Sequence, residues 1–254
     1  MIAAEGLTIG RVRKPLLDSI GFRLPAGECW AVAGRNGSGK STLLATLAGL
    51  LPPLAGKVHV LDRPLAAWRR SDLALHLGYL PQLAPLVFPY TIEEFVGLAR
   101  APWGGRGLEA VDDAIQSLEL EGISGRVLTA LSGGELQRAC IAHLLAQTTR
   151  ILLLDEPMAH LDLLHQLRVM QLLRASADRG GAVAVVTHDL GLAWPYCDRF
   201  LLLGPGGLRL VARSDHGAMH NGLHWAYGVD FEMTRDGPLL SPSTHLAVTK
   251  RGSL

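Results

Sequence analysis

Cysteine is scarce in this chain and has no partner spacing. Three occur among 254 residues, Cys29, Cys140 and Cys197, with no C-x-x-C. That excludes a disulfide framework or a zinc site and points to a reducing compartment. Net charge is nearly absent, at +1, so no overall attraction to nucleic acid or an anionic membrane is built in. No apolar run approaches the ~20 residues that a membrane-spanning helix needs. Glu5, Arg11, Arg13 and Lys14 interrupt the start, so no secretory signal is expected. Sustained heptads are missing, which excludes a long coiled coil, and there are no internal repeats or low-complexity segments. Apolar residues, in contrast, reach 48%. A buried parallel sheet accounts for part of that, and an apolar docking surface would account for more.

Short apolar runs alternate with helical patterns, the signature of an α/β fold. Cys29–Gly34, Ile151–Glu156, Ala182–His188 and Arg199–Gly204 read as strands, and Lys57–Asp62 alternates like one. Lys40–Leu51 reads as a helix ended by Pro52 and Pro53, and a second helix is expected over Leu163–Asp178. From about Ser71 to Gln147 the pattern is mostly helical. Thr91 and Glu94 form a capping box there, and Leu108, Val111, Ile115 and Leu118 fall on one helix face. The expectation is one domain over 1–254. Its core is 1–70 with 148–204, a helical subdomain is inserted at about 71–147, and 205–254 is a C-terminal extension.

"GRNGSGKST", Gly34–Thr42, matches G-x-x-x-x-G-K-[ST] and lies between a strand and a helix. Its residues Gly34, Arg35, Asn36, Gly37, Ser38 and Gly39 supply a loop whose backbone N–H groups can cradle phosphate oxygens. The helix behind them adds its positive end. Lys40 would reach the β- and γ-phosphates of a nucleoside triphosphate, and Ser41 would ligate Mg²⁺. Asp155 ends an apolar strand, where it would hold the same metal. Glu156 follows and can take a proton from an attacking water. His188 closes another strand at the same sheet edge and can donate to a γ-phosphate, although a lone strand-end histidine is more often structural. Gln82 can contact Mg²⁺ or the water, although an isolated glutamine is more often a surface residue. His216, His220 and His224 are spaced at i, i+4 and i+8, but Gly217 and Gly222 argue against a firm helix there, so exposed histidines are the simpler reading.

"LSGGELQR", Leu131–Arg138, poses a different problem. Ser132 and Glu135 make a capping box, yet Gly133 and Gly134 occupy the first turn of the helix. Each costs a helix up to about 1 kcal/mol relative to alanine. Stability alone would not choose them.

Taken together, these motifs resemble those of the ABC (ATP-binding cassette) ATPases. The P-loop lies at Gly34–Ser41, the Q-loop at Gln82 and the signature at Leu131–Gln137. The Walker B strand is Ile151–Asp155 with Glu156, the D-loop ends at Asp162, and the H-loop is at His188. The resemblance implies a P-loop NTPase cassette with a mostly parallel core sheet, an N-terminal antiparallel β region and an inserted helical subdomain. It implies a head-to-tail homodimer in which Ser132, Gly133 and Gly134 bind the γ-phosphate of ATP held by the partner's P-loop. Asp62–Trp68, Phe88–Trp103 and Ala226–Glu232 look more narrowly like the importer ATPases for iron-siderophore, heme and cobalamin complexes, with a molybdate relative. That implies ATP and Mg²⁺ as ligands, integral-membrane permease partners and, indirectly, a substrate-binding protein. No nucleic acid is implied, and the location would be peripheral on the cytoplasmic face of the membrane. The segment Leu83–Arg100, with Leu86, Val87 and Phe88, would meet the permease. Two positions depart from the family pattern. Ile9 stands where an aromatic usually stacks on adenine, so it can give only apolar contact, and Ala159 stands where serine is common.

Lys40→Ala should weaken nucleotide binding itself, read by titration with a nucleotide analogue; unchanged affinity would refute the phosphate-binding role.

Overall fold

The computed structural model describes residues 1–11, 14–82 and 89–240. Two long strands open the chain, β1 (Ile2–Arg11) and β2 (Lys14–Leu24). β3 (Cys29–Gly34) enters the centre and leads into α1 (Lys40–Leu47). β4 (Ala55–Val60) and β5 (Arg63–Pro64) return to the first sheet, and one helical turn, α2 (Arg70–Leu73), precedes β6 (Leu77–Leu80). Helices α3 (Ile92–Gly97), α4 (Glu109–Ser117) and α5 (Gly133–Ala146) follow. Then come β7 (Ile151–Asp155), α6 (Leu163–Asp178), β8 (Ala182–Val186), α7 (Leu190–Ala193) and β9 (Arg199–Gly204). β10 (Gly207–Ala212), α8 (His216–Tyr227) and the strands β11 (Phe231–Thr234) and β12 (Gly237–Leu240) complete the described chain.

The central sheet has the order β10-β9-β3-β8-β7-β6, with only β10 antiparallel. The N-terminal sheet, β2-β1-β4-β5, is antiparallel throughout. Alternation along each central strand divides the interior in two. Cys29, Ala31 and Ala33 face a core shared with α5, α6 and α8, while Trp30 and Val32 face a core shared with α1 and the N-terminal sheet. Leu152 and Leu154 are separated from Ile151 and Leu153 in the same way. Burial on both faces explains why these strands read as continuous apolar runs.

Four local expectations need correction. Leu77–Leu80 is a strand paired with Ile151–Leu154, although it falls within the stretch that reads as helical. Helix α1 stops at Leu47, because Gly49 adopts φ +73° and closes the turn before the prolines are reached. Leu108 precedes α4 and is 59% exposed, while Val111, Ile115 and Leu118 are buried. The His216–Tyr227 segment is a regular helix despite its glycines. Asp215 caps it through the Ala218 N–H, and buried Gly222 lets it approach Leu202 of β9. Residues 83–88, including Leu86, Val87 and Phe88 of the expected permease contact, lie outside the described residues.

Arg100 ties the helical region together. It is 5% exposed, and it donates to the carbonyls of Arg106 at 2.8 Å and Ala146 at 2.9 Å and to the Thr148 hydroxyl at 2.9 Å. Its guanidinium lies 4.4 Å from the centre of the Trp103 ring. Ala146 is the last residue of α5, whose final carbonyls lack helical partners. A cation at that end also complements the helix dipole. Arg100→Met should therefore lower unfolding free energy by about 2–4 kcal/mol, because it leaves several carbonyls without donors. Urea denaturation would measure this, and an unchanged midpoint would refute the capping role.

Candidate functional site

The site begins where β3 runs out. At Gly34 the backbone turns to φ +153°, and a side chain there would strike the Leu203 carbonyl. Only glycine fits such a turn. Gly39, at φ +103°, packs on Leu16 immediately before α1. Lys40 is 6% exposed, and its Nζ donates to the carbonyls of Gly34 at 2.9 Å and Arg35 at 3.1 Å. The ammonium is folded back over its own loop. Burial lowers its pKa, against the pull of Glu156 and Asp155.

A cleft of about 380 Å³ opens on this loop, lined by Leu16, Asn36, Gly37, Gly39, Lys40, Ser41, Thr42, Gln82, Glu156 and His188. Three strand ends deliver its acidic side. Glu156 follows β7 with φ +51° and lines the cleft, whereas Asp155 at the strand end does not. Gln82 Nε2 donates to Glu156 Oε2 at 3.3 Å, and His188 Nε2 lies 2.7 Å from Glu156 Oε1. Residues far apart in sequence thus meet on one carboxylate. Asp155 lies behind them, 2% exposed, with Oδ1 unpartnered among the described residues. Burial raises its pKa, while a hydrogen bond with Ser41 acts the other way. Gly34, Arg35, Ser38 and Asp155 do not line the cleft; Arg35 is exposed, and the Ser38 hydroxyl is buried without a partner among the described residues. A larger cleft, about 620 Å³, lies at the opposite ends of β7 and β8 near Arg150 and Gly181 and has none of these phosphate-binding features.

Ser132, Gly133 and Gly134 are not in the nucleotide-sized cleft. Ser132 caps α5 through the Glu135 N–H, Glu135 bonds back to the Ser132 N–H at 2.7 Å, and Ser132 and Gly133 are exposed. The helix start is exposed, and it does not line the cleft at its own P-loop. The two glycines differ. A Cβ at Gly134 would lie 2.9 Å from the His160 carbonyl oxygen, whereas one at Gly133 would meet only the His160 side chain at 3.6 Å. Gly134 therefore has a packing reason that the sequence did not reveal.

Two further residues escaped sequence reasoning. Ile9 is 1% exposed and packs within the core, so it is unavailable to a base; Leu16 supplies the aliphatic side of the cleft instead. The Tyr227 hydroxyl accepts a hydrogen bond from the Gly34 N–H at 3.0 Å. Its neighbourhood reads as a motif, Ala226–Glu232, but nothing in the spacing indicates contact with the P-loop. The histidines of α8 make local contacts: His224 lies 2.8 Å from Asp230, and His216 meets the Trp194 ring edge-on.

Comparison with known proteins bears on the family and the fold. The model of the family described as "ABC transporter" matches residues 17–159. The hemin import ATP-binding protein HmuV of Streptomyces coelicolor is 47% identical over 211 residues, 81% of this chain and 75% of the relative. The protein of the same name from Pseudomonas putida is 41% identical over 238 residues, 91% of this chain and 93% of the relative. A solved dimeric structure of a bacterial ABC transporter cassette superposes with a TM-score of 0.73 at 28% identity, covering 84% of this chain and 99% of that one.

Gly133→Ala should raise the stability of the isolated chain by up to about 1 kcal/mol, since it replaces an exposed first-turn glycine that has room for a methyl. Gly134→Ala should not, because its methyl meets backbone. Equal denaturation midpoints for the two variants would refute this division.

Proposed function

This chain belongs to the ABC transporter family, and we propose that it is the ATP-hydrolysing subunit of an importer that moves hemin or a related metal chelate through a partner permease. The observation that carries this reading is the Gln82–Glu156–His188 cluster facing Lys40 and Ser41 across one cleft. The import role and the cargo class are supported by the hemin import relatives, which extend over most of the chain. No helix among the described residues is long and apolar enough to cross a membrane. In this reading, which the hemin import relatives support, the membrane path belongs to the permease and the chain works at its cytoplasmic face. A substrate-binding protein acts upstream, and molybdate or another small solute is the alternative cargo.

In this mechanism Lys40 exchanges the carbonyls of Gly34 and Arg35 for phosphate oxygens of ATP. The loop amides and the start of α1 complete the anion cradle. The donor set fits Mg²⁺: Asp155 brings a buried oxygen without a protein partner, Ser41 brings a hydroxyl beside it, and Gln82 brings an amide at the rim. Bound there, the ion would neutralise charge on the phosphate oxygens. Glu156 takes the proton of the attacking water, and its nearness to Gln82 and His188 fixes the carboxylate in line with the cleft. His188 then donates to the γ-phosphate.

Ser132–Gly134 lie outside the chain's own cleft, and in the pairing that the family resemblance implies a second copy supplies their amides. That is the basis for a head-to-tail homodimer with two shared sites. The negative charge of the γ-phosphate draws the partner's exposed helix start onto the cleft, and its removal by hydrolysis releases it.

Glu156→Gln should preserve ATP binding, cut turnover at least about 10²-fold and accumulate an ATP-bound dimer on size-exclusion chromatography. Normal turnover would refute the general-base assignment. Hemin uptake by proteoliposomes holding this chain, its permease and the binding protein tests the cargo. Uptake of molybdate in place of hemin, or turnover stimulated by nucleic acid without a permease, would overturn the reading.

A further inference from the structure

We propose that Tyr227 is a positioning residue for the nucleotide: its hydroxyl, carried in from the end of α8, holds the first peptide of the phosphate-binding loop, so that packing of the C-terminal segment sets nucleotide affinity. The inference rests on the ATP-site reading and adds a residue to it.

Gly34 is where β3 becomes loop. Its register partner is Leu203 of β9, its φ is +153°, and its N–H donates to Tyr227 Oη at 3.0 Å. On the other side of the same α-carbon, the Gly34 carbonyl accepts from Lys40 Nζ at 2.9 Å. One residue thus joins the tyrosine to the lysine that meets phosphate. Such a strand-to-loop residue has freedom that a side chain would normally remove, and here an external hydroxyl removes it.

The tyrosine is itself held firmly. It is the last residue of α8, closed by Gly228 at φ +69°, and its ring lies edge-on to Phe231 with centroids 5.6 Å apart. Burial pushes its hydroxyl pKa up, so it remains a neutral phenol. Helix α8 sits tightly on β9. A Cβ at Gly204 would lie 2.8 Å from the Trp225 ring, and one at Gly222 would lie 2.6 Å from Leu202. The β11–β12 hairpin continues this contact, with Gly237 against Trp194. Over the described residues, α8 and the β11–β12 hairpin are thus closely packed on the core, and Tyr227 carries that packing to the P-loop.

Tyr227→Phe keeps the ring and removes only the acceptor, leaving the Gly34 N–H without a protein partner. In the full-length chain, Kd for a non-hydrolysable ATP analogue and KM for ATP should each rise about tenfold. At saturating ATP, kcat should stay within about twofold. A merely structural tyrosine would instead lower the melting temperature with Kd and KM unchanged, and that result overturns the proposal. An equal fall in kcat with unchanged KM overturns it as well. A second measurement uses the wild-type protein: the Gly34 amide should exchange slowly with D₂O without nucleotide and faster in Tyr227→Phe. Rapid exchange in the wild type refutes the hydrogen bond. The two readings separate cleanly. Wild-type binding that Lys40→Ala abolishes upholds the ATP site whichever way Tyr227 behaves, whereas a wild type that binds no nucleotide overturns both.

Discussion

A shared sheet edge is the constraint on which everything else here depends. In a parallel sheet all strands end on one side, and whatever follows each strand converges there. Gly34 ends β3, Asp155 ends β7, Gln82 lies two residues past β6, and His188 lies two past β8. The order β3-β8-β7-β6 makes these ends neighbours in space although long crossovers separate them in sequence. That is how Gln82 and His188 come to contact one carboxylate. The two cores that clamp the sheet are what keep this edge rigid, and a rigid edge is what a geometry-sensitive phosphate transfer requires.

Much of this was legible in the sequence because motif chemistry tolerates little variation. A loop that cradles phosphate must be glycine-rich and must join strand to helix, so Gly34–Thr42 identified both an activity and a position. The capping boxes at Thr91 and Ser132 were equally readable, and both are present. The failures have physical causes. Leu77–Leu80 is too short a run for periodicity to separate strand from helix. The α8 glycines weakened a helix only under the assumption that its surroundings were neutral, whereas Gly222 exists to let the helix pack on Leu202. Ile9 and Leu16 are both aliphatic, and only the pairing of β1 with β2 decides which one reaches the cleft. The Tyr227–Gly34 contact spans 193 residues and belongs to tertiary packing alone.

The paired glycines of the signature show how two demands can fall on adjacent residues. An anion-binding helix start would need exposed amides, and Gly133 is exposed, with only the His160 side chain at ordinary contact distance from the place of a Cβ. Gly134 also lets the chain of the Glu156–Leu161 loop pass close by, since the His160 carbonyl occupies the place of its side chain. A motif that looks like one requirement repeated is better described as a contact surface beside a packing joint.

That joint bears on how two copies would work together. Glu156 belongs to the cleft of its own chain, while Ser132–Gly134 would complete the partner's. Only a short loop separates them, and it is held at both ends: Gln137 Nε2 of α5 donates to the Pro157 carbonyl at 2.8 Å, and His160, at φ +65°, rests on Gly133 and Gly134. A shift of the Glu156 carboxylate that accompanies loss of the γ-phosphate would be carried along this loop to the helix start serving the other site. In the proposed two-fold homodimer, each cleft would be mechanically joined to the other through its own chain. The coupling would then need no separate device, because the loop that follows the acidic strand is already packed on the signature helix.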